Sequence, residues 1–177
     1  MKRFGLKKND NHKKAAVRII FLCLLVIFIV LVFLLPSLLL TKSRDYSYAV
    51  YDKDGILLGA QVASDEQWRF EPGDVPKKFK DCIILYEDKR FRFHFGIDFI
   101  SIGRAVKQNI QQNRIVSGGS TITMQTIRLL SGNPKRTYRQ KIKEAFLSVI
   151  FELRFSKKKI LELYCAYAPF GGNVVGL

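Results

Sequence analysis

Apolar positions fall into three kinds of pattern along the chain. The first is unbroken. Ile19 to Leu40 reads IIFLCLLVIFIVLVFLLPSLLL, with no charge anywhere. At about 1.5 Å per residue this run spans roughly 33 Å, enough for a bilayer core of ~30 Å. A cleavable signal peptide has a shorter apolar region, about 7–15 residues, ending in small residues. Leu40-Thr41-Lys42-Ser43 offers no such ending. The run predicts an uncleaved transmembrane anchor over 19–40, kinked towards its outer end by Pro36. The second pattern is alternation. Tyr46 to Tyr51 alternates like a strand, Asp52-Lys53-Asp54-Gly55 signals a turn, and Ile56 to Val62 reads as the return strand of a β-hairpin. Glu71-Pro72-Gly73-Asp74-Val75-Pro76 then breaks the chain.

The third pattern is helical spacing beyond Pro76. Phe79, Ile83 and Tyr86 mark a first helix. Ile102, Ala105, Val106 and Ile110 mark a second over Asp98 to Gln112. Ser117-Gly118-Gly119-Ser120 is a loop, with Ser120 as the expected cap of a helix running to about Leu130. Ser131-Gly132-Asn133-Pro134 ends that helix. A long helix over Arg136 to Phe155 carries Ile142, Phe146, Val149, Ile150 and Leu153, and Ser156 caps a last one through Tyr164. Pro169 to Gly172 reads as loop. The division expected is a basic tail (1–18), the anchor (19–40), linker and hairpin (41–75), and a mainly α-helical domain (76–177).

Charge gives the anchor a direction. Lys2, Arg3, Lys7, Lys8, Lys13, Lys14 and Arg18 precede it, against Asp10 alone. Basic flanks stay in the cytoplasm, so the N-terminus is expected inside and the folded part outside. The formal net charge is +15, and a surplus remains beyond the anchor. An extracytoplasmic location disfavours nucleic acid as the partner and leaves anionic headgroups or a pyrophosphate-bearing substrate. Cys23, Cys82 and Cys165 form no disulfide framework or zinc pattern.

Three groups of residues are able to carry chemistry. In Glu87-Asp88-Lys89-Arg90-Phe91-Arg92-Phe93-His94-Phe95-Gly96, two acids end an apolar helix and face a turn. A carboxylate in a partly apolar cleft serves as a general base; the bland alternative is pairing with Lys89, Arg90 and Arg92 on the surface. His94 alone reads as a structural histidine. In Gly118-Gly119-Ser120-Thr121-Ile122-Thr123-Met124-Gln125, glycines precede a helix N-terminus, where an anion is welcome. Thr121, Gln125 and Arg128 at i, i+4 and i+7 share a face able to meet a phosphate or sugar. On the long helix Arg136, Arg139 and Lys143 form a basic stripe beside Glu144, suited to a pyrophosphate leaving group or simply to solvent.

In this order and spacing the segments resemble glycosyltransferase family 51, the glycosyltransferase domain of class A penicillin-binding proteins and of monofunctional peptidoglycan glycosyltransferases. EDKRFRFHFG fits that family's E-D-x-x-F-x-x-H-x-G, and GGSTITMQ its G-G-S-T-I-T-Q-Q except at Met124. RTYRQKIKEA is similar to R-T-x-x-R-K-x-x-E-A, with Gln140 in place of Arg. SKKKILELYCAYAPFGG is similar to S-K-x-E-I-L-E-x-Y-L-N and a glycine loop, with Lys159 for Glu, Cys165-Ala166 for Leu-Asn, and A-P-F-G-G wording like the 1C type.

The resemblance covers roughly residues 46–177. It implies a lysozyme-like, mostly helical domain that polymerises lipid II into β-1,4 glycan strands and releases undecaprenyl pyrophosphate. Glu87 would be the base. Ser120, Thr121, Gln125, Arg128, Arg136 and Lys143 would hold the donor. Glu144 would orient these cations or a divalent metal, Mg2+ or Mn2+. Asp88, Phe91, His94 and Gly96 would shape the motif, and Arg104 would support it. The implied setting is the bacterial inner membrane, single-pass, with the domain periplasmic or extracellular. The implied partners are lipid II, the growing lipid-linked strand, the bilayer and other cell-wall synthesis proteins. The family's domain continues past the motifs present, so the domain ending at Leu177 is expected to be C-terminally incomplete. Two competing readings are a lytic glycosidase on the same fold and a non-catalytic lipid II- or divisome-binding membrane protein.

Overall fold

A computed structural model describes residues 3–40, 45–69 and 74–176. The expected linker start at 41–44 and the break at Glu71-Pro72-Gly73 lie outside the described residues. Helix α1 (Arg3–Leu40) runs through the basic tail and the apolar segment as one element. Over Lys13–Leu40 it is long and apolar enough to cross a membrane. It continues past Pro36, and Ser37 Oγ donates to the Phe33 carbonyl beside the proline. The last turns of α1 are not free. Val32 is buried, and Leu35, Leu39 and Leu40 pack against the core of the folded part. The Arg154 guanidinium lies 5.1 Å from the centre of the Phe33 ring, a cation–π contact.

Strands β1 (Tyr48–Tyr51) and β2 (Leu57–Gln61) form the expected antiparallel hairpin, with an irregularity at Val50/Tyr51. Its turn follows from Asp52, whose Oδ1 accepts the N–H groups of Asp54 and Ile56. Five helices follow: α2 (Lys77–Glu87), α3 (Phe99–Gln111), α4 (Ile122–Leu130), α5 (Tyr138–Arg154) and α6 (Lys157–Tyr167). Side-chain oxygens of Asp98, Thr121, Thr137 and Ser156 cap the last four, satisfying N–H groups that have no partner within the helix.

Helix α4 is the centre of the fold, packed against α5 and α6. Ile122 and Ile127 of α4, Phe151 of α5 and Ile160 of α6 are each fully buried. On α5 the core face is Leu147, Ile150 and Phe151, whereas Ile142, Phe146 and Leu153 remain exposed. On α3 Ala105 is buried but Val106 and Ile110 are exposed, and Tyr86 of α2 is 87% exposed. Helical spacing found these helices, and of the apolar residues that marked them only Ala105 on α3 and Ile150 on α5 are buried. The expected loop at Pro169 to Gly172 is corrected in part. Pro169–Gly171 is a strand, β3, paired antiparallel with β4 (Val174–Val175). Val174 also bridges to Trp68 in parallel, tying this hairpin to the segment that follows β2.

Candidate active site

The site begins where α2 ends. Glu87 is the last residue of α2 and Asp88 its C-cap, and the two carboxylates bond to different partners. Asp88 is 7% exposed. It accepts the backbone N–H of Ile122 at 3.0 Å and His94 Nε2 at 2.9 Å. A carboxylate only accepts, so Nε2 carries the proton. Ile122 opens α4, where unpaired N–H groups and the helix dipole favour negative charge. Asp88 thereby fixes the end of α2, the turn carrying His94 and the start of α4 at one point. The bland alternative for the acidic pair does not hold. Arg90 binds Asp98 at 2.7 Å and Arg92 approaches Asp81 at 3.8 Å, so neither cation takes Glu87 or Asp88.

Glu87 bonds to the side of α4 instead. Gln125 Nε2 donates to Glu87 Oε2 at 2.8 Å. One turn further along α4 is Arg128, and Tyr164 of α6 lies within the electrostatic reach of both Glu87 and Arg128. Burial pushes the Tyr164 hydroxyl up to about 12; Glu87 adds to the rise and Arg128 opposes it. Arg128 Nε is buried without a hydrogen-bond partner among the described residues. Such a donor is costly to leave unpaired, and it marks a place where an anion or an oxygen-rich ligand is favoured. Tyr164 was not among the expected site residues. Its signal was present as the tyrosine of the S-K-x-E-I-L-E-x-Y pattern.

Two glycines make these approaches possible. Gly96 has φ +78°, and a Cβ there would lie 2.7 Å from the Ser148 carbonyl carbon. A Cβ on Gly119 would lie 2.8 Å from Ile102 Cα. Both turns therefore sit directly on neighbouring helix backbone, α5 and α3 respectively. A buried polar brace supports them. Thr123 donates to Glu152 Oε1 at 2.6 Å, and Lys157 Nζ donates to the same oxygen and to the His94 carbonyl, each at 2.7 Å. Lys157 Nζ also sits 4.5 Å from the centre of the Phe91 ring, and Phe91 itself is a core residue, 1% exposed.

The remaining expected residues divide. Thr121 is corrected. It, and not Ser120, caps α4, accepting the Met124 N–H and donating to the Gly96 carbonyl at 2.6 Å. Its hydroxyl is therefore committed and does not share an open face with Gln125 and Arg128. Ser120 is half-buried just before that cap. Glu144 is 5% exposed and accepts from Gln140 Nε2 at 3.3 Å. Arg104, Arg136 and Lys143 are exposed, with no ion pair among the described residues. Nor do the described residues gather three or more His, Cys, Asp or Glu side chains in one place. Glu144 is thus a lone carboxylate, and a divalent cation held there would take its remaining ligands from substrate phosphates and water.

The departures from the motifs also find places. Met124 is 2% exposed and Cys165 fully buried, so both substitutions fall in the core and not in the cleft. Burial pushes the Cys165 thiol up to about 11, with Lys80 opposing and Glu162 adding. Ser156 still caps α6 through the Lys159 N–H, and Lys159 Nζ turns to Glu162 at 3.8 Å.

The family model described as Transglycosylase matches residues 55–177. The chain belongs to that family. Among the chain's curated relatives, penicillin-binding protein 1C of Escherichia coli (strain K12) is 38% identical over 130 residues, 72% of the chain. Penicillin-binding protein 1A/1B of Bacillus subtilis (strain 168) is 33% identical over 178 residues, 97% of the chain. A biosynthetic peptidoglycan transglycosylase of Alcanivorax borkumensis is 35% identical over 111 residues, 63% of the chain. The chain spans 17% and 19% of the two penicillin-binding proteins and 45% of the third relative.

Proposed function

We propose that this transglycosylase is a peptidoglycan glycosyltransferase of cell-wall synthesis that acts on lipid II and the growing lipid-linked strand. The observation that carries the proposal is the Gln125–Glu87 hydrogen bond, with Arg128 one turn away. The bond places the Glu87 carboxylate one helical turn from a guanidinium whose Nε has no hydrogen-bond partner among the described residues. Glu87 takes the proton from the 4-hydroxyl of the acceptor N-acetylglucosamine. The oxygen attacks C1 of the lipid-linked N-acetylmuramic acid, a β-1,4 bond forms, and the C1–O bond to undecaprenyl pyrophosphate breaks. Arg128 meets the negative charge that grows on that leaving group, assisted by Ser120, Arg136 and Lys143 when donor is bound. Asp88 and His94 act as positioning residues. Helix α1 holds the site at the membrane that supplies both substrates, with its N-terminus cytoplasmic and the helical domain outside.

A leaving-group cation distinguishes transfer from hydrolysis, because a finished glycan strand carries no pyrophosphate. The test is to give the detergent-solubilised protein labelled lipid II in one arm and finished glycan strands in the other. Longer strands from lipid II support transfer. Shortened strands in the second arm identify a glycosidase, and neither product overturns the assignment of activity.

A further inference from the structure

Away from Glu87, α2 and α6 enclose a second cavity of about 360 Å³. Its floor is apolar: Ile84, Phe91 and Leu161. Its rim is mainly cationic, with Lys77 and Lys80 on α2, Arg92 on the following turn and Lys158 on α6 against the single carboxylate of Asp81. The cations are not equally engaged. Lys157, which also lines the cavity, is held by Glu152 and the His94 carbonyl. Arg92 approaches Asp81, and Lys158 approaches Glu162 at 3.9 Å. Lys77 and Lys80 have no carboxylate partner among the described residues. An apolar hollow edged by two lysines without an ion-pair partner among the described residues suits a ligand that is apolar at one end and anionic at the other.

Its position narrows the class. The α2 residues Phe79, Ile83 and Ile84 pack into the same core as Leu35, Leu39 and Leu40, the outer end of α1. Helix α1 itself docks on α5 and α4, so the cavity belongs to a domain whose core receives the outer end of the apolar helix; with α1 spanning a bilayer as proposed above, that domain lies at the bilayer surface. Lysines at that level attract anionic lipid. We infer that this cavity binds an anionic bilayer phospholipid, with an acyl segment over Ile84, Phe91 and Leu161 and the phosphate between Lys77 and Lys80. The cavity shares Phe91 and Lys157 with the scaffold behind the active site but contains none of Glu87, Gln125 or Arg128, and its occupancy does not depend on turnover.

The full chain in nanodiscs tests this with phosphatidylglycerol and phosphatidylcholine probes that carry a photoreactive acyl chain. The phosphatidylglycerol probe is expected to label peptides containing Ile84 or Leu161, and the phosphatidylcholine probe to label them far less. Lys77→Glu with Lys80→Glu is expected to lower phosphatidylglycerol labelling by about fivefold or more per lysine. Circular dichroism of that variant should be unchanged, since Lys77 is exposed and Lys80 half-exposed. Ile84→Trp, which fills the hollow and keeps both lysines, should also reduce labelling. Equal labelling by both probes, or labelling indifferent to the lysines, overturns the inference. So does displacement by undecaprenyl pyrophosphate but not by unlabelled phosphatidylglycerol, because the cavity then belongs to the substrate.

Discussion

Gln125 and Glu87 are joined across the gap between two helices by one hydrogen bond of 2.8 Å, from the Gln125 amide to Glu87 Oε2. The bond occupies one oxygen of the carboxylate and sets its direction, leaving the other available to a proton. An amide donor does this without neutralising the charge, as a lysine in its place would tend to do. If Glu87 is the base, Gln125 is the residue that aims it.

Gln125→Ala is therefore expected to lower kcat for strand synthesis roughly 10- to 100-fold, the scale of a mispositioned catalytic group. Gln125 is half-exposed, so melting temperature should change little. Gln125→Glu should be worse than Ala, because it sets a second carboxylate against Glu87. Steady-state kinetics beside a thermal melt separate the two effects.

Asp88 is a matter of folding before chemistry. Asp88→Asn keeps the shape but replaces a charged acceptor serving His94 and the Ile122 N–H. A loss of about 1–3 kcal/mol is expected, the cost of disturbing a buried hydrogen-bonded group. Denaturant unfolding of the solubilised protein measures it, and Asp88→Ala should cost more.

Gly96→Ala joins two penalties: a left-handed φ of +78° and a Cβ placed 2.7 Å from α5 backbone. A destabilisation of about 1–3 kcal/mol follows from the backbone conformation alone, and the clash adds to it. Gly103→Ala is the control, since a Cβ there meets nothing within 4 Å. Its exposed helical site should gain stability slightly.

Asp98 predicts an acid limb. Burial raises its pKa, but the hydrogen bonds from the Ser101 hydroxyl and N–H, together with Arg90, outweigh burial and hold the carboxyl at about 2, below the ordinary 3.8. A depressed folded-state value means that the stabilisation is fully present above 3.8 and is lost as pH falls from there to about 2. Asp98→Asn should reduce stability at neutral pH and flatten the decline between those values. Unfolding free energy measured across that range checks both the sign and the window.

Much of this was legible in the sequence, and the reasons are physical. The hairpin turn was written in Asp52 and Gly55, and the α3 and α6 boundaries in the capping residues Asp98 and Ser156. The pairing of Glu87 with Gln125 was not, because 38 positions separate them and only the docking of α2 on α4 brings them together. Thr121 misled for a related reason. Its spacing from Gln125 and Arg128 is helical, but as the cap it stands outside the helix and turns its hydroxyl to Gly96. On α5, exposed Ile142 and Phe146 and buried Glu144 and Ser148 invert the usual rule. Gly96 lies against the Ser148 backbone there, a contact that no hydrophobic period encodes.

The most direct test of the central claim is polymerisation of labelled lipid II by the detergent-solubilised protein beside Glu87→Gln. The substitution keeps the size of the side chain and removes the base. Polymer from the parent and almost none from Glu87→Gln, with circular dichroism unchanged, is the predicted result. Polymer from both at comparable rates would contradict the assignment of Glu87 as the base.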